Sequence, residues 1–468
     1  MKFDLIIAGA GSGGLGAAIT AGRLGLRVAL IEAAKTLGGN AARGGVNCWE
    51  PGVGGTGLPF EIYRRLKQIP KAVGIYRHGR HLWRDPSFPG GECILDPSLR
   101  YTDSLRRFLL DGEDKLDIWH GVPFEPNDYV KVVSELLNET QNITLFSGSA
   151  VTSITQNGHR IKSVSLDDGT TLTADTFIDA TASIILARLA GCRTSLGRES
   201  SQTYGESAAP KQADDSLNAV TQLYRVDPHS GQPSIEPLPE GIPSECWWAP
   251  KFPSAVFNQY PRGGWNVNML PTMEAREFSS LRYDTAHKEC ARRVHAHWHH
   301  IQTVLPEMQS FRLSWLAPAL GVREEQRLVG RYVLTQQDLD DTLKKQPHDN
   351  IICIADHSKD VHGEVHVHKE LSFPYGVPYR CLLPREFDNL LVACRGASFS
   401  AIAASSCRLS RTMMQLGQAA GTAAALAKDQ QLDVADVDTG ALRTSLRKQH
   451  IQLEWPASDK LQRYLQRE

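Results

Sequence analysis

Residues 5–32 read LIIAGAGSGGLGAAITAGRLGLRVALIE, and this stretch decides the fold. Residues 3–8 are almost wholly apolar, as a strand buried on both faces of a parallel sheet should be. The turn that follows fits G-x-G-x-x-G, with Gly9, Gly11 and Gly14 in the fixed places and Ala10, Ser12 and Gly13 between them. Gly9 permits a tight turn, Gly11 lets backbone approach a pyrophosphate, and Gly14 lets a helix lie close to the strand. A helix over residues 13–24 would aim its free N–H groups and positive dipole end at that pyrophosphate. Residues 27–31 make the next strand and Glu32 closes it. A carboxylate there accepts hydrogen bonds from ribose hydroxyls and repels a 2′-phosphate, which favours FAD or NAD over NADP.

Composition bounds the rest. The 468 residues are 41% hydrophobic and carry 51 Lys+Arg against 52 Asp+Glu, so no chain-wide basic field is available to hold nucleic acid. No uninterrupted apolar stretch reaches the roughly 18–20 residues of a membrane span. The opening residues, MKFD, run into a strand and show no signal-peptide layout, so the expectation is a cytoplasmic protein with a small-molecule substrate. Nine scattered cysteines include no C-x-x-C pair and read as reduced, buried thiols rather than a zinc site.

After Glu32 the chain continues Ala33-Ala-Lys-Thr-Leu-Gly38-Gly39-Asn40-Ala-Ala-Arg43-Gly44-Gly45. This resembles the glycine-rich continuation of the two-dinucleotide-binding-domain flavoproteins, in which the chain runs along an extended flavin; the resemblance implies FAD rather than NAD. Residues 52–57, GVGGTG, and the Gly-, Pro-, His- and Arg-rich stretch 71–97 read as an irregular cap. Helices are expected over 98–110 and 127–139, a short strand over 143–146, and hairpin turns at Asn157-Gly158 and Asp168-Gly169. Residues 171–180 are expected to return to the main sheet. From residue 197 prolines and tryptophans cluster and no second G-x-G-x-x-G occurs through residue 361, which suggests an inserted substrate domain. Strands are expected there around 220–226 and 265–270, and helices over 282–304 and 313–331. Residues 398–427, SFSAIAASSCRLSRTMMQLGQAAGTAAALA, read as one long helix. Its small residues, Ala403, Ala404, Gly417, Ala420 and Gly421 among them, suit close approach to other backbone or to a flat ring.

Residues 5–53, 171–181, 321–332 and 378–427 together resemble the FAD-dependent oxidoreductases related to glutathione reductase. The resemblance implies an α/β fold: a Rossmann-type FAD-binding domain with a parallel sheet, plus an inserted mixed α+β substrate domain. The implied boundaries are 1–196 for the first part of the FAD domain, with an insertion at about 52–97, then 197–377 for the substrate domain. Residues 378–430 would return to the FAD domain and 431–468 would form a helical tail. In relatives a residue matching Val151 clasps the adenine, and the segment holding Ala180, the Arg395 loop and the helix after it lie against the cofactor. The cofactor candidates are thus Gly9 to Gly14, Glu32, Ala33, Gly38, Gly39, Asn40, Arg43, Gly44, Val151, Ala180, Arg395 and Ala404.

Flavin itself exchanges hydride, so the protein must supply orientation and a proton donor or acceptor. His357, His362, His366 and His368 fall in HSKDVHGEVHVH, and on a strand His366 and His368 would share a face. Arg323, Tyr379, Arg380 and Arg395 could hold an anionic or polyhydroxylated substrate, or the O2 edge of the flavin. Asp356, Asp360 and Glu364 could add metal ligands to the histidines, but no spacing makes a compact set and no metal is expected. The His295, His297, His299, His300 quartet reads as a solvent-facing helical stripe. The expectation is an FAD-dependent oxidoreductase whose substrate reduces the flavin directly, with no built-in NAD(P)H domain. The alternatives are a reductase or monooxygenase fed by a diffusible donor, and a flavin-binding protein with vestigial activity.

Overall fold

The computed structural model describes residues 1–78, 93–108, 112–113, 117–362 and 367–468. Leu5–Ala8 is central in a five-stranded, all-parallel sheet, flanked by Val28–Glu32 and Thr176–Asp179, with Ile143–Ser147 and Leu390–Val392 at the edges. A strand from the N-terminus and one from the last fifth of the chain therefore belong to one sheet. Helix Ser12–Arg23 crosses from the first strand to the second, as the glycine turn predicts. The 171–180 segment divides. Thr171–Thr173 ends an antiparallel meander with Val151–Asn157 and Arg160–Leu166, and only Thr176–Asp179 joins the parallel sheet.

The middle of the chain builds a six-stranded sheet in the order Phe311–Leu316, Tyr224–Pro228, Trp265–Leu270, Ser254–Gln259, Cys93–Leu95, Tyr76–His78. The last two strands come from the segment expected to be a cap on the cofactor domain. Residues alternate between the two faces of this sheet. Ala255, Phe257, Val267 and Met269 pack with Val294, Trp298 and Ile301 of helix Tyr283–Val304, while Val256, Asn258, Asn266, Asn268 and Leu270 face the other way.

Three helices expected from the sequence are not formed as written. Over 313–331 the chain instead gives strand Phe311–Leu316, an irregular run and the two-residue strand Arg327–Leu328. Pro318 stops a helix, and the exposed edge of Tyr224–Pro228 takes the strand as its partner. Residues 101–105 form only a 3-10 turn within the expected 98–110 helix, whose residues 109–110 lie outside the described set. The 398–427 helix breaks at Cys407–Leu409 into Ala401–Ser406, capped by the Ser400 hydroxyl accepting from the Ala403 amide, and Ser410–Gln430. Helix Pro126–Glu139 lies where the pattern put it, and helix Thr439–Lys448 falls within the 431–468 stretch expected to be helical.

His297 does not belong to a solvent-facing stripe. It is fully buried, with Nδ1 2.8 Å from the Tyr224 hydroxyl and Nε2 3.0 Å from the Pro253 carbonyl, an arrangement that suits a neutral ring. Burial pushes its pKa down to about 3. Because the unfolded chain binds that proton from about pH 6.5 downward, His297 adds stability above pH 6.5 that is lost as the pH falls toward 3. Acid titration followed by tryptophan emission is expected to show earlier unfolding for the wild type than for His297→Gln, which keeps both hydrogen-bonding capacities without titrating. Equal acid midpoints would count against this assignment.

No helix among the described residues is long and apolar enough to cross a membrane.

Candidate active site

The nucleotide cradle is built by close backbone approach. Gly9 has φ +92°, and a Cβ there would sit 2.5 Å from the Ala180 carbonyl oxygen. Gly14 lies against the Gly9 carbonyl, so helix and strand touch through the missing side chain. The first turn of helix Ser12–Arg23 has no side-chain cap at Gly11 and no acidic residue. Its leading amides are therefore left for a bound anion. Gly38 donates to the Ala10 carbonyl at 2.9 Å, and Gly39 packs over Gly11, so the 38–45 loop folds across the turn. Glu32 accepts from the Ala10 amide at 2.7 Å and from the Ala34 amide at 2.9 Å. A carboxylate has about four acceptor positions, which leaves room for ribose hydroxyls. Gly148 and Ser149 donate to the Ala34 and Glu32 carbonyls, which sets Val151 just beyond the end of that strand. Glu32→Ala is expected to raise the FAD dissociation constant by about 10- to 100-fold, the scale of lost charge-assisted hydrogen bonds; flavin retention on dialysis measures it.

GVGGTG at 52–57 has the same glycine spacing but a different surrounding. Cβ atoms on Gly54, Gly55 and Gly57 would run into Thr412, Arg411 and Gln418. The space is filled by helix Ser410–Gln430, so this is a packing motif and not a second cradle.

Between the cradle and the Asn-bearing face of the six-stranded sheet lies a cavity of about 580 Å³. Asn40, Cys48, Arg395, Leu409 and Ser410 line it from the cofactor side, and Leu223, Val256, Asn258, Asn268 and Leu270 from the sheet. Arg395 pairs with Glu325 at 2.7 Å, while its Nε is buried with no partner among the described residues. An uncapped helix start, a glycine cradle and an unsatisfied guanidinium N–H together fit an extended dinucleotide with a flat ring at its end.

The far end of the cavity is ionic. Strand Lys359–Val361 pairs with Val367–Lys369, Asp360 opposite His368, so Asp360, His362 and His368 reach the cavity while Lys359 and Lys369 face a separate one. Asp360 accepts from His362 Nε2 at 2.7 Å and Arg408 at 2.8 Å, with His368 Nδ1 3.4 Å away. Burial alone would raise the Asp360 carboxyl, but the bonds from His362 and His368 and the Arg408 charge hold it well below the usual carboxylate range. The two histidines are driven apart. Burial lowers His362, with Arg323 and Arg408 adding to it against the Asp360 bond. Bonds to Asp360 and Glu370 raise His368 to about 9. Beside them His357 Nε2 lies 3.3 Å from Glu50, whose carboxyl is held down to about 2: burial opposes ionisation, and His357 and Arg107 outweigh it. Arg107 is buried beneath the Trp119 ring, 3.5 Å from both Glu50 and Glu370.

Of the residues singled out from the sequence, His368 and Arg323 line this cavity, and so do Asn40 and Arg395. His366 falls outside the described residues. Arg380 does not line the cavity: it is exposed, with its guanidinium over the Tyr332 ring. Cys48, one of the nine cysteines, lines the cavity too, but burial raises its thiol well above the ordinary value, which disfavours a nucleophilic thiolate. Ala404 is buried in helix Ala401–Ser406. Asp179, in the family-like 171–181 segment, holds Thr181 and caps Ala187, a structural task. Glu50, Arg107, Arg408 and the cavity-facing asparagines were not legible as site residues. The alternating N-x-N of residues 266–268 was the one available signal. Among the described residues no group of three or more His, Cys, Asp or Glu is arranged to hold a metal.

The fold and cradle are those of a flavoprotein. The chain belongs to the FAD dependent oxidoreductase family, whose model matches residues 4–446, and FAD is its cofactor. It is 32% identical over 80 residues to a 3-oxosteroid 1-dehydrogenase of Mycobacterium tuberculosis, a match covering 17% of this chain and 13% of that protein. Similar solved structures include a geranylgeranyl bacteriochlorophyll reductase-like protein from Thermoplasma acidophilum, at 11% identity and TM-score 0.48, with 99% of this chain and 95% of that chain covered. Another is p-nitrophenol 4-monooxygenase from Pseudomonas putida, at 13% identity and TM-score 0.42, with 99% and 84% covered.

Proposed function

We propose that this chain oxidises a small organic substrate by direct hydride transfer to tightly bound FAD, with no NAD(P)H domain of its own. The observation that carries the reading is the cavity between cradle and sheet, of a size for one small molecule beside a flavin ring and walled by both parts of the chain. Bound FAD supplies the hydride acceptor. The chain's own residues orient the substrate and handle the proton. Gly9 to Gly14, Glu32, Ala33, Gly38, Gly39, Asn40, Arg43, Gly44, Val151, Ala180 and Arg395 hold the cofactor in this reading. Asp360 fixes His362, which is neutral near pH 7 and accepts the substrate proton, while charged His368 lies on the other oxygen of the same carboxylate. Two groups with opposite shifts on one hub are the usual basis of an acid–base pair. The sheet's aliphatic residues exclude water.

Anaerobic mixing of the holoprotein with a panel of small alcohols, acids and amines tests it. Bleaching of the visible flavin band by a panel member, with NADH and NADPH much slower, is the expected result. Rapid bleaching by either nicotinamide would replace this reading with that of a reductase.

A further inference from the structure

We propose that the substrate is a carboxylic acid, and that Arg323 is the residue that seats its carboxylate. This rests on the reading of the cavity as the substrate site and adds the chemical class that enters it.

Four guanidinium groups line the cavity, and three already have carboxylate partners: Arg107 with Glu50 and Glu370, Arg395 with Glu325, Arg408 with Asp360. Arg323 is different. Both hydrogen bonds it makes leave from one terminal nitrogen, to the Ala219 carbonyl and the Thr221 hydroxyl, each at 2.8 Å. These acceptors are neutral, and among the described residues no carboxylate pairs with it. The two contacts hold one terminal nitrogen in place, its other N–H groups have no hydrogen-bond acceptor among the described residues, and Arg323 is a lining residue of the cavity.

A half-buried guanidinium with no directly paired counter-ion is costly: burial and the neighbouring Arg408 charge press against its ionised form, and the more distant Asp360 and Glu50 charges offset them only in part. Arginine does not escape by releasing its proton at neutral pH. The missing partner is therefore supplied from outside, and a carboxylate matches the rigid fork with two parallel hydrogen bonds. Asp360 and Glu50, the nearby acids, are committed to His362, Arg408 and His357 and do not swing across to fill the place. The rest of the lining includes another kind of surface: Val256, Leu223 and Leu270 are aliphatic, and the Asn268 amide oxygen is buried with no partner among the described residues. An acid seated on Arg323 thus lays its uncharged remainder against aliphatic and amide groups.

The test uses the FAD-loaded protein and follows the flavin absorption band while benzoate and succinate are added, with benzamide, succinamide and matched sodium chloride as controls. At least one acid is expected to perturb the band saturably and to bind about 10- to 100-fold more tightly than its amide, the worth of charge-assisted hydrogen bonds. Arg323→Lys should lose about tenfold of that preference and Arg323→Met nearly all of it, with FAD content unchanged. Failure of both acids to bind, or amides binding as well as acids, overturns the proposal. So does an Arg323→Met protein that holds FAD and keeps its affinity for the acid. The wild-type acid–amide comparison needs no variant and stands if Arg323→Met fails to fold. Quenching of tryptophan emission, with Trp119 in the cavity wall, reads acid binding without flavin. A protein that binds benzoate but is bleached by no organic substrate would refute the proposed reaction and leave the acid site standing.

Discussion

Gly417→Ala is expected to destabilise the protein by about 3 kcal/mol and to strip most of its FAD, although the substitution adds one methyl group in a helix. Helix Ser410–Gln430 crosses helix Ser12–Arg23 with backbone against backbone. A Cβ on Gly417 would overlap the Gly13 carbonyl oxygen, one on Gly16 the Met414 carbonyl, and one on Gly421 would lie 2.5 Å from the Ala17 carbonyl. A backbone oxygen cannot rotate aside, so relief requires the helices to separate. That displaces the Gly9–Gly14 turn, the proposed cradle of the pyrophosphate. Alanine favours the helix by about 1 kcal/mol over glycine, and overpacking of this kind outweighs that gain. Gly440→Ala is the control: that glycine is exposed in the first turn of helix Thr439–Lys448, with nothing nearer a Cβ than Asp438 at 3.4 Å, and a small gain in stability is expected. Thermal unfolding and the ratio of flavin to protein absorbance read both variants. A Gly417→Ala protein as stable as Gly440→Ala would disprove the tight crossing.

The second large effect is on chemistry. Asp360→Asn keeps the size of the side chain but removes the charge that orders His362, His368 and Arg408. Flavin reduction by the best substrate of the panel is expected to slow by about 10²- to 10³-fold, the scale of acid–base catalysis, with FAD still bound. The pH profile should move as well. In the wild type His368 stays charged until about pH 9. Without Asp360 its charge is lost at a lower pH, nearer the ordinary value of 6.5, so the alkaline limb shifts down. A uniform loss of rate with an unmoved limb would assign Asp360 a purely structural role.

The N-terminal cradle was readable from residues 5–32 because its determinants are local: strand, turn, helix and acid are fixed by spacing, and each glycine answers to its neighbours. The long C-terminal helix was legible as a run of small residues, but whether they approach backbone or a ring was open. The structure decides for backbone at Gly417 and Gly421, and it gives Gly13 and Gly16, which the motif reading assigned to the nucleotide or passed over, to the same crossing. The expected 313–331 helix failed because an apolar run carries no information about a strand edge nearly a hundred residues earlier that needs a partner.

The sequence by itself determined the parallel α/β core, and the glycine turn and acid proposed to hold the dinucleotide, since those follow from side-chain periodicity and backbone sterics within a few turns of chain. Only the tertiary structure decided which charges meet. Glu50, Arg107, Arg323, Asp360 and Arg408 come from segments up to about 360 residues apart, and no periodicity within one segment says which carboxylate another segment will bring. A guanidinium reads the same in sequence with or without a counter-ion; that Arg323 pairs with no carboxylate among the described residues is a fact of packing.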